Sequence, residues 1–165
     1  MSDLDVPARP ARERRPPLTP AQVLALVPQQ EPFRFLDAIV AIDDEHIVSR
    51  YRFRPDHDFY RGHFPGNPIT PGVILIEAMA QTAVVALGIY LLAREADVDE
   101  LDNLVTMFTD VEAEFSGIVR PGETVTIHAK KVFFRRRKIR SLAKMYREDG
   151  TMVCVGRCSG MGVAR

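Results

Sequence analysis

The amino-acid sequence predicts an α+β domain in which an antiparallel sheet curls around one long, apolar helix. Three observations lead there. Strand-like segments come as a pair, then one helix, then four more, without the strand–helix alternation that builds a parallel sheet. From Phe64 to Ala93 the only formally charged residue is Glu77, and a helix that is apolar all round belongs in a protein core. The 165 residues, 46% hydrophobic and 27% charged, suit one compact domain rather than two.

Residues 1 to 17 hold four prolines, four arginines and no aromatic residue. That is too little apolar surface to offset the entropy of ordering, so a disordered tail is expected there and the domain over 18 to 165. Thr19 before Pro20 is an N-cap and first-turn pair, and Val23, Leu24 and Val27 recur at helical spacing until Pro28, which gives one short helix. Phe33, Phe35 and Ile39 to Ile42 form a β-rich segment. Ile47 to Arg54 alternates Val48, Arg50 and Arg52 against Ile47, Ser49, Tyr51 and Phe53, a half-exposed strand joined to the previous one by a hairpin through Asp43, Asp44 and Glu45. Pro65, Gly66, Pro68, Pro71 and Gly72 break up the chain beyond His63, so the apolar helix runs about 20 residues from near Pro71. An acidic link over 95–102 leads to four β-rich segments, Leu104 to Phe115, Thr124 to Phe134, Ile139 to Arg147 and Thr151 to Ser159. Pro121-Gly122 and Asp149-Gly150 are turn dipeptides between them, and the short Arg136 to Lys138 connection fits a hairpin.

Composition removes several function classes. Lys plus Arg total 22 and Asp plus Glu total 22, so there is no global basic field to recruit nucleic acid. About 18 apolar residues can span a bilayer, but Glu77, Gln81 and Thr82 stand in the first turns of the long helix, where an ionisable group costs a few kcal/mol in lipid. No membrane role is expected. The first thirty residues lack the apolar stretch of a secretory signal. Cys154 and Cys158, four apart in a predicted strand, are separated by roughly 13 Å and cannot pair, so they read as reduced core thiols of a cytoplasmic protein. Charge is uneven locally: Lys130 to Arg140 holds seven basic residues and no acidic one, and Glu95 to Asp102 five acidic residues and no basic one. The basic hairpin is either a solvated edge or a surface for an acidic partner.

Chemistry concentrates between Tyr60 and Gln81. So many prolines and glycines directly before a buried helix put His63 on a rigid, irregular loop, where catalytic groups are over-represented. Gly72 stands at the helix start, whose free N–H groups and dipole favour a developing negative charge. Glu77, a lone carboxyl in the apolar run, must be paired, hydrogen-bonded or held protonated, and Gln81, at i+4, lies on its face. A base, a carboxylic acid and an anion-stabilising helix end are the parts needed to remove a proton beside a carbonyl and expel a β-hydroxyl.

Residues 62 to 81, GHFPGNPITPGVILIEAMAQ, closely resemble the signature of the FabZ/FabA family of 3-hydroxyacyl-[acyl-carrier-protein] dehydratases, with a looser likeness from about Leu26 through Gly160. EPFRFLDAI before it resembles the family's first strand, and VRPGE at 119 to 123 the turn after its third. The resemblance implies a hotdog fold and a homodimer, or a trimer of such dimers, in which His63 of one chain faces Glu77 of the other. It implies that His63 removes the α-proton of the acyl thioester, that Glu77 protonates the departing hydroxyl, and that the Gly72 amide holds the thioester carbonyl. The Ile69 carbonyl is expected to accept from the other ring nitrogen of His63, and Gln81 to orient Glu77. Glu rather than Asp on the helix is the FabZ-type pattern, dehydration without isomerisation. Thr70 stands where the family often has Met, and Gln29-Gln30 where it often has His-Arg. The substrate rides on the phosphopantetheine of acyl carrier protein, with no metal or organic cofactor implied. Because carrier proteins are acidic, Arg135, Arg136, Arg137 and Lys138 become a candidate docking surface. The expected activity is conversion of 3-hydroxyacyl thioesters to trans-2-enoyl thioesters in fatty-acid or related acyl-chain synthesis. The alternatives are a hotdog thioesterase and a non-catalytic acyl-binding protein.

Overall fold

The computed structural model describes residues 14–96 and 98–165. Six antiparallel strands form one sheet in the order β1-β2-β4-β5-β6-β3: β1 (Ala38–Ile42), β2 (His46–Arg52), β3 (Leu104–Phe115), β4 (Thr124–Arg135), β5 (Lys138–Arg147) and β6 (Met152–Ala164). Helix α1 (Pro20–Leu26) precedes the sheet. The long helix α2 (Gly72–Ala93) lies against it, and a short α3 (Val98–Asp102) comes next. This is the hotdog arrangement that the family resemblance implied.

Local sequence explains most boundaries. The Thr19 side chain accepts from Gln22 N–H while the Gln22 side chain accepts from Thr19 N–H, a reciprocal cap that starts α1. Ile47, Ser49, Tyr51 and Phe53 are buried while Arg50 and Arg52 are exposed, as the alternation required. Helix α2 is long and apolar enough to cross a membrane, yet every residue from Ala78 to Gly88 is buried inside the protein. Cys154 and Cys158 are unpaired and fully buried, and burial pushes both thiols up, to about 11 and about 12.

Four details differ from the sequence expectation. The segment 33–37 is not a strand, because Phe33 and Phe35 place backbone groups on the side chain of Gln81 instead of on a neighbouring strand. The acidic link ends in α3. Strand β6 continues to Ala164 because β3 offers partners along its whole length, from Phe115↔Cys154 to Leu104↔Ala164. Within α2, Gln81–Ala86 is a π-helical stretch. There the Thr82 hydroxyl donates to Ala78 O (3.1 Å) and lies 2.7 Å from Ser49 Oγ, and Ser141 Oγ donates to Ala83 O (2.8 Å), so hydroxyl groups take up carbonyls that a regular ladder would use. Of the expected tail, residues 1–13 lie outside the described residues. Residues 14–17 have no regular structure; Arg14 pairs with Asp44 at 2.6 Å, and Arg15 N–H donates to Arg94 O.

Candidate active site

A short 3-10 turn, Asp58–Arg61, leads into the Gly/Pro-rich loop, and the loop delivers the chain to the start of α2. His63 N–H donates to Phe59 O (2.9 Å), and Ile69 N–H returns to His63 O (3.0 Å). The imidazole is held on two sides: Nδ1 is 3.0 Å from Ile69 O, and the ring stacks on Phe64 with centroids 4.2 Å apart. A carbonyl can only accept, so Nδ1 carries the hydrogen and Nε2 presents its lone pair. His63 is half-buried, open enough to meet a substrate.

Pro71 caps α2 without a side-chain hydrogen bond, and Gly72 is the first helical residue. Ile74 and Leu75 N–H donate to Pro71 O (2.9 and 3.2 Å), which leaves the N–H groups of Gly72 and Val73 at the positive end of the helix without intrahelical partners. Space at 72 is tight: an added Cβ would stand 3.0 Å from Cζ of the Phe115 ring, so any larger residue there has to push that ring aside. The Phe115 ring, 46% exposed at the end of β3, thus packs beside Gly72, a contact that only the fold reveals.

Glu77 is half-buried on α2, and a side-chain hydrogen bond holds its carboxyl. Gln81 Nε2 donates to Glu77 Oε1 (2.8 Å) and to Phe33 O (2.9 Å), while Gln81 Oε1 accepts from Phe35 N–H (2.7 Å). Phe35 can only donate and Phe33 can only accept, so the amide has one orientation and its remaining N–H must face Glu77. Gln81 is fully buried. It is thus a bridge between Glu77 and the 33–35 segment, a larger role than its i+4 position suggested.

The structure unites His63 with Ile69, and Glu77 with Gln81. Among the described residues, no hydrogen bond or ion pair joins His63 to Glu77 within the chain. Arg135 and Lys138 face each other as the last and first residues of β4 and β5, and Arg136 and Arg137 make the turn between them with φ of 52° and 64°. That turn borders a groove shared with Leu92 and Arg94, at the far end of α2, roughly 30 Å along the helix from Gly72. Between the turn and the site lies an apolar pocket whose walls include Val84, Gly88, Leu104, Ile139 and Met161, with Arg137 among them. Sequence reasoning missed Phe115 and the buried pair Tyr60 and Thr70, whose hydroxyl oxygens are 2.6 Å apart. Two hydroxyl residues bracketing the Gly/Pro loop were the available signal. No group of three or more potential metal ligands occurs among the described residues.

Comparison with known proteins gives this geometry a family. A model described as a FabA-like domain matches residues 27–157. The 3-hydroxyacyl-[acyl-carrier-protein] dehydratase FabZ of Chloroflexus aggregans is 32% identical over 117 residues, 70% of this chain and 76% of that protein. FabZ of Acetivibrio thermocellus is 34% identical over 120 residues, 72% and 77% of the two. The bifunctional enzyme LpxC/FabZ of Chlorobaculum tepidum is 40% identical over 131 residues, 78% of this chain, although the chain spans only 26% of that longer protein. Among solved structures, a chain of the dehydratase heterocomplex ApeI:P from Xenorhabdus doucetiae superposes with a TM-score of 0.70 at 16% identity, covering 90% of this chain and 93% of the other. A thioesterase from Haemophilus influenzae gives 0.64 at 17% identity, covering 92% and 95%. At such identities the two share the fold alone. The family model spans most of the domain, and curated FabZ relatives above 30% identity are covered over more than two thirds of their length: the chain belongs to the FabA-like family, in its FabZ-type branch.

Proposed function

We propose that the protein dehydrates 3-hydroxyacyl thioesters carried on acyl carrier protein to trans-2-enoyl thioesters, in the cytoplasm and as a homodimer, within fatty-acid or related acyl-chain synthesis. The observation that carries this reading is the His63 ring, donating through Nδ1 to Ile69 O with Nε2 left as a base, on the loop that ends at the uncapped start of α2. His63 Nε2 takes the proton from the carbon beside the thioester carbonyl. The oxygen of that carbonyl gathers negative charge and is held by the Gly72 N–H. As the electron pair forms the new carbon–carbon double bond, the bond to the β-hydroxyl breaks and Glu77 supplies the proton that makes it water. One Glu77 oxygen is taken by Gln81, which leaves the other to hold that proton. His63 then carries a proton and Glu77 lacks one; transfer between them through water resets the site. Each step is a proton transfer or a carbon–oxygen cleavage that side chains supply, so no cofactor beyond the substrate's own phosphopantetheine is invoked.

We infer dimerisation through β3, the strand whose exposed edge suits the homodimer in which His63 would meet Glu77 of a second protomer. Strand β3 is a free edge of the sheet, 12 residues long, and exposes Met107, Phe108, Val111 and Phe115. A long, apolar, unpaired edge is a template for another strand. Antiparallel β3–β3 pairing sets Leu104 of one chain near Phe115 of the other. Because Leu104 and Arg137 share a pocket and Phe115 packs beside Gly72, the arginine turn of one protomer then lies toward the His63 loop of its partner. In that arrangement Arg135, Arg136, Arg137 and Lys138 are a docking surface for an acidic carrier protein.

The test is incubation with 3-hydroxybutyryl-carrier protein, following enoyl thioester and free acid. Enoyl product is expected, and His63→Ala or Glu77→Gln should each lower the rate by about 10²- to 10⁴-fold. Mixed dimers of the two variants should regain one working site. Free acid as the main product would mark a thioesterase instead, and verified mixed dimers without activity would place both groups in one chain.

A further inference from the structure

The loop that carries His63 is closed at its base by two buried hydroxyl groups. Tyr60 Oη and Thr70 Oγ1 are 2.6 Å apart, and the residues are 6% and 4% exposed. Tyr60 belongs to the 3-10 turn before the loop, and Thr70 stands two residues before α2. Inside this outer rung lies the inner one, in which Ile69 N–H donates to His63 O and His63 Nδ1 to Ile69 O.

The two rungs share a peptide group. The carbonyl that accepts from His63 belongs to Ile69, and the N–H of the same planar unit belongs to Thr70, which donates to Val119 O at 2.8 Å. Because the peptide is rigid, fixing Thr70 fixes the direction of the Ile69 carbonyl. Thr70 is β-branched and stiff at χ1, so anchoring its hydroxyl anchors its backbone as well. An apolar pair of the same shape would stabilise this site about as well as two hydroxyls, since a buried neutral hydrogen bond contributes little net once desolvation is counted. What the hydroxyl pair adds is direction.

We propose that Tyr60 and Thr70 are positioning residues for His63: their hydrogen bond holds the Ile69–Thr70 peptide so that the imidazole keeps its hydrogen on Nδ1 and its lone pair on Nε2. The kinetic consequence rests on the proposed dehydration. The tautomer itself does not.

The experiment uses the full chain and four variants: Thr70→Val, Tyr60→Phe, Thr70→Ser and the double Tyr60→Phe/Thr70→Val. Each is assayed for kcat and KM on 3-hydroxybutyryl-carrier protein, for melting temperature, and for the ring ¹⁵N shifts of His63. Both hydroxyl-deleting single variants should lose about 5- to 20-fold in kcat with KM within about twofold, and their His63 shifts should move toward a mixture of tautomers. Thr70→Ser, which keeps the hydroxyl but loses the β-branch, should lose less than about threefold in kcat, clearly less than either hydroxyl-deleting variant, and keep the wild-type tautomer. The double variant leaves no orphaned hydroxyl, so its melting temperature should recover while its kcat stays low. Recovery of kcat together with melting temperature, or a single unchanged tautomer in Thr70→Val, overturns the proposal and leaves the pair a purely structural contact. Absence of dehydration in wild type is failure of the functional reading instead, and the ¹⁵N shifts then decide the inference alone.

Discussion

Replacing Gln81 by Leu tests how much one buried amide holds together. The residue is fully buried and Leu nearly matches its volume, so little cavity energy enters. Three bonds are lost. The Phe35 N–H is buried and would be left without its acceptor, costing about 1–3 kcal/mol, while Phe33 O and the Glu77 carboxyl are partly open to water and cost about 0.5–1 kcal/mol each. The sum is about 2–5 kcal/mol, below the 5–15 kcal/mol by which domains are typically stable, so the variant should fold. For a chain of this length the melting temperature should fall by about 4–20 °C. Urea unfolding should show a lower midpoint at unchanged slope. Activity should fall further than the folded fraction accounts for, because Glu77 loses the amide that orients it. A loss of stability under about 1 kcal/mol with full activity would refute the reasoning, since the buried Phe35 N–H must then find another acceptor and Glu77 must need no orientation.

Two more outcomes rest on other features. Burial raises the thiols of Cys158 and Cys154 to about 12 and about 11, above an ordinary value near 9.0; the folded state therefore keeps protons that the unfolded state releases, and stability present below about pH 9 should be lost as pH rises toward 11–12. Urea midpoints from pH 8 to 10.5 should fall more steeply for wild type than for Cys154→Ala/Cys158→Ala, and parallel slopes would contradict the assignment. At the β4–β5 turn, Arg136→Asn/Arg137→Gly replaces two left-handed residues with the pair such turns favour, and should raise stability by about 1–2 kcal/mol. The same change should raise KM for carrier-bound substrate while leaving turnover of a small pantetheine thioester alone; an unchanged KM would return the turn to ordinary solvated surface.

Legibility in the sequence tracked the range of the interactions. The start of α1, the alternation in β2 and the Gly/Pro approach to α2 depend on neighbours a few residues apart, and all three could be read directly. Glu77 and Gln81 were legible for the same reason, four residues apart on one helix face. The π stretch was not, because it draws on Ser141 and Ser49, hydroxyls that only the sheet brings to the helix. Phe33–Asp37 looked like a strand because its residues favour one; the Gln81 side chain, 46 residues from Phe35, takes its hydrogen bonds instead. The contact between Phe115 and Gly72 has no local signature at all, since the two meet only after β3 joins the sheet.

Strand order also sets when the chain becomes safe. Helix α2 leaves the ribosome before β3, β4, β5 and β6, four of the six strands of the sheet against which it is buried. Strand β3 pairs within the sheet with β6, at whose far end Leu104 stands opposite Ala164, so the sheet closes only once the C-terminal strand is free to pair. Until then a 22-residue apolar helix and an unpaired strand edge are exposed together. The same long-range closure that buries the helix so well makes the newborn chain slow to shelter it. Truncations that remove β6 should therefore yield aggregates or chaperone-bound chains rather than a smaller folded domain, however intact the His63 loop and α2 remain in sequence.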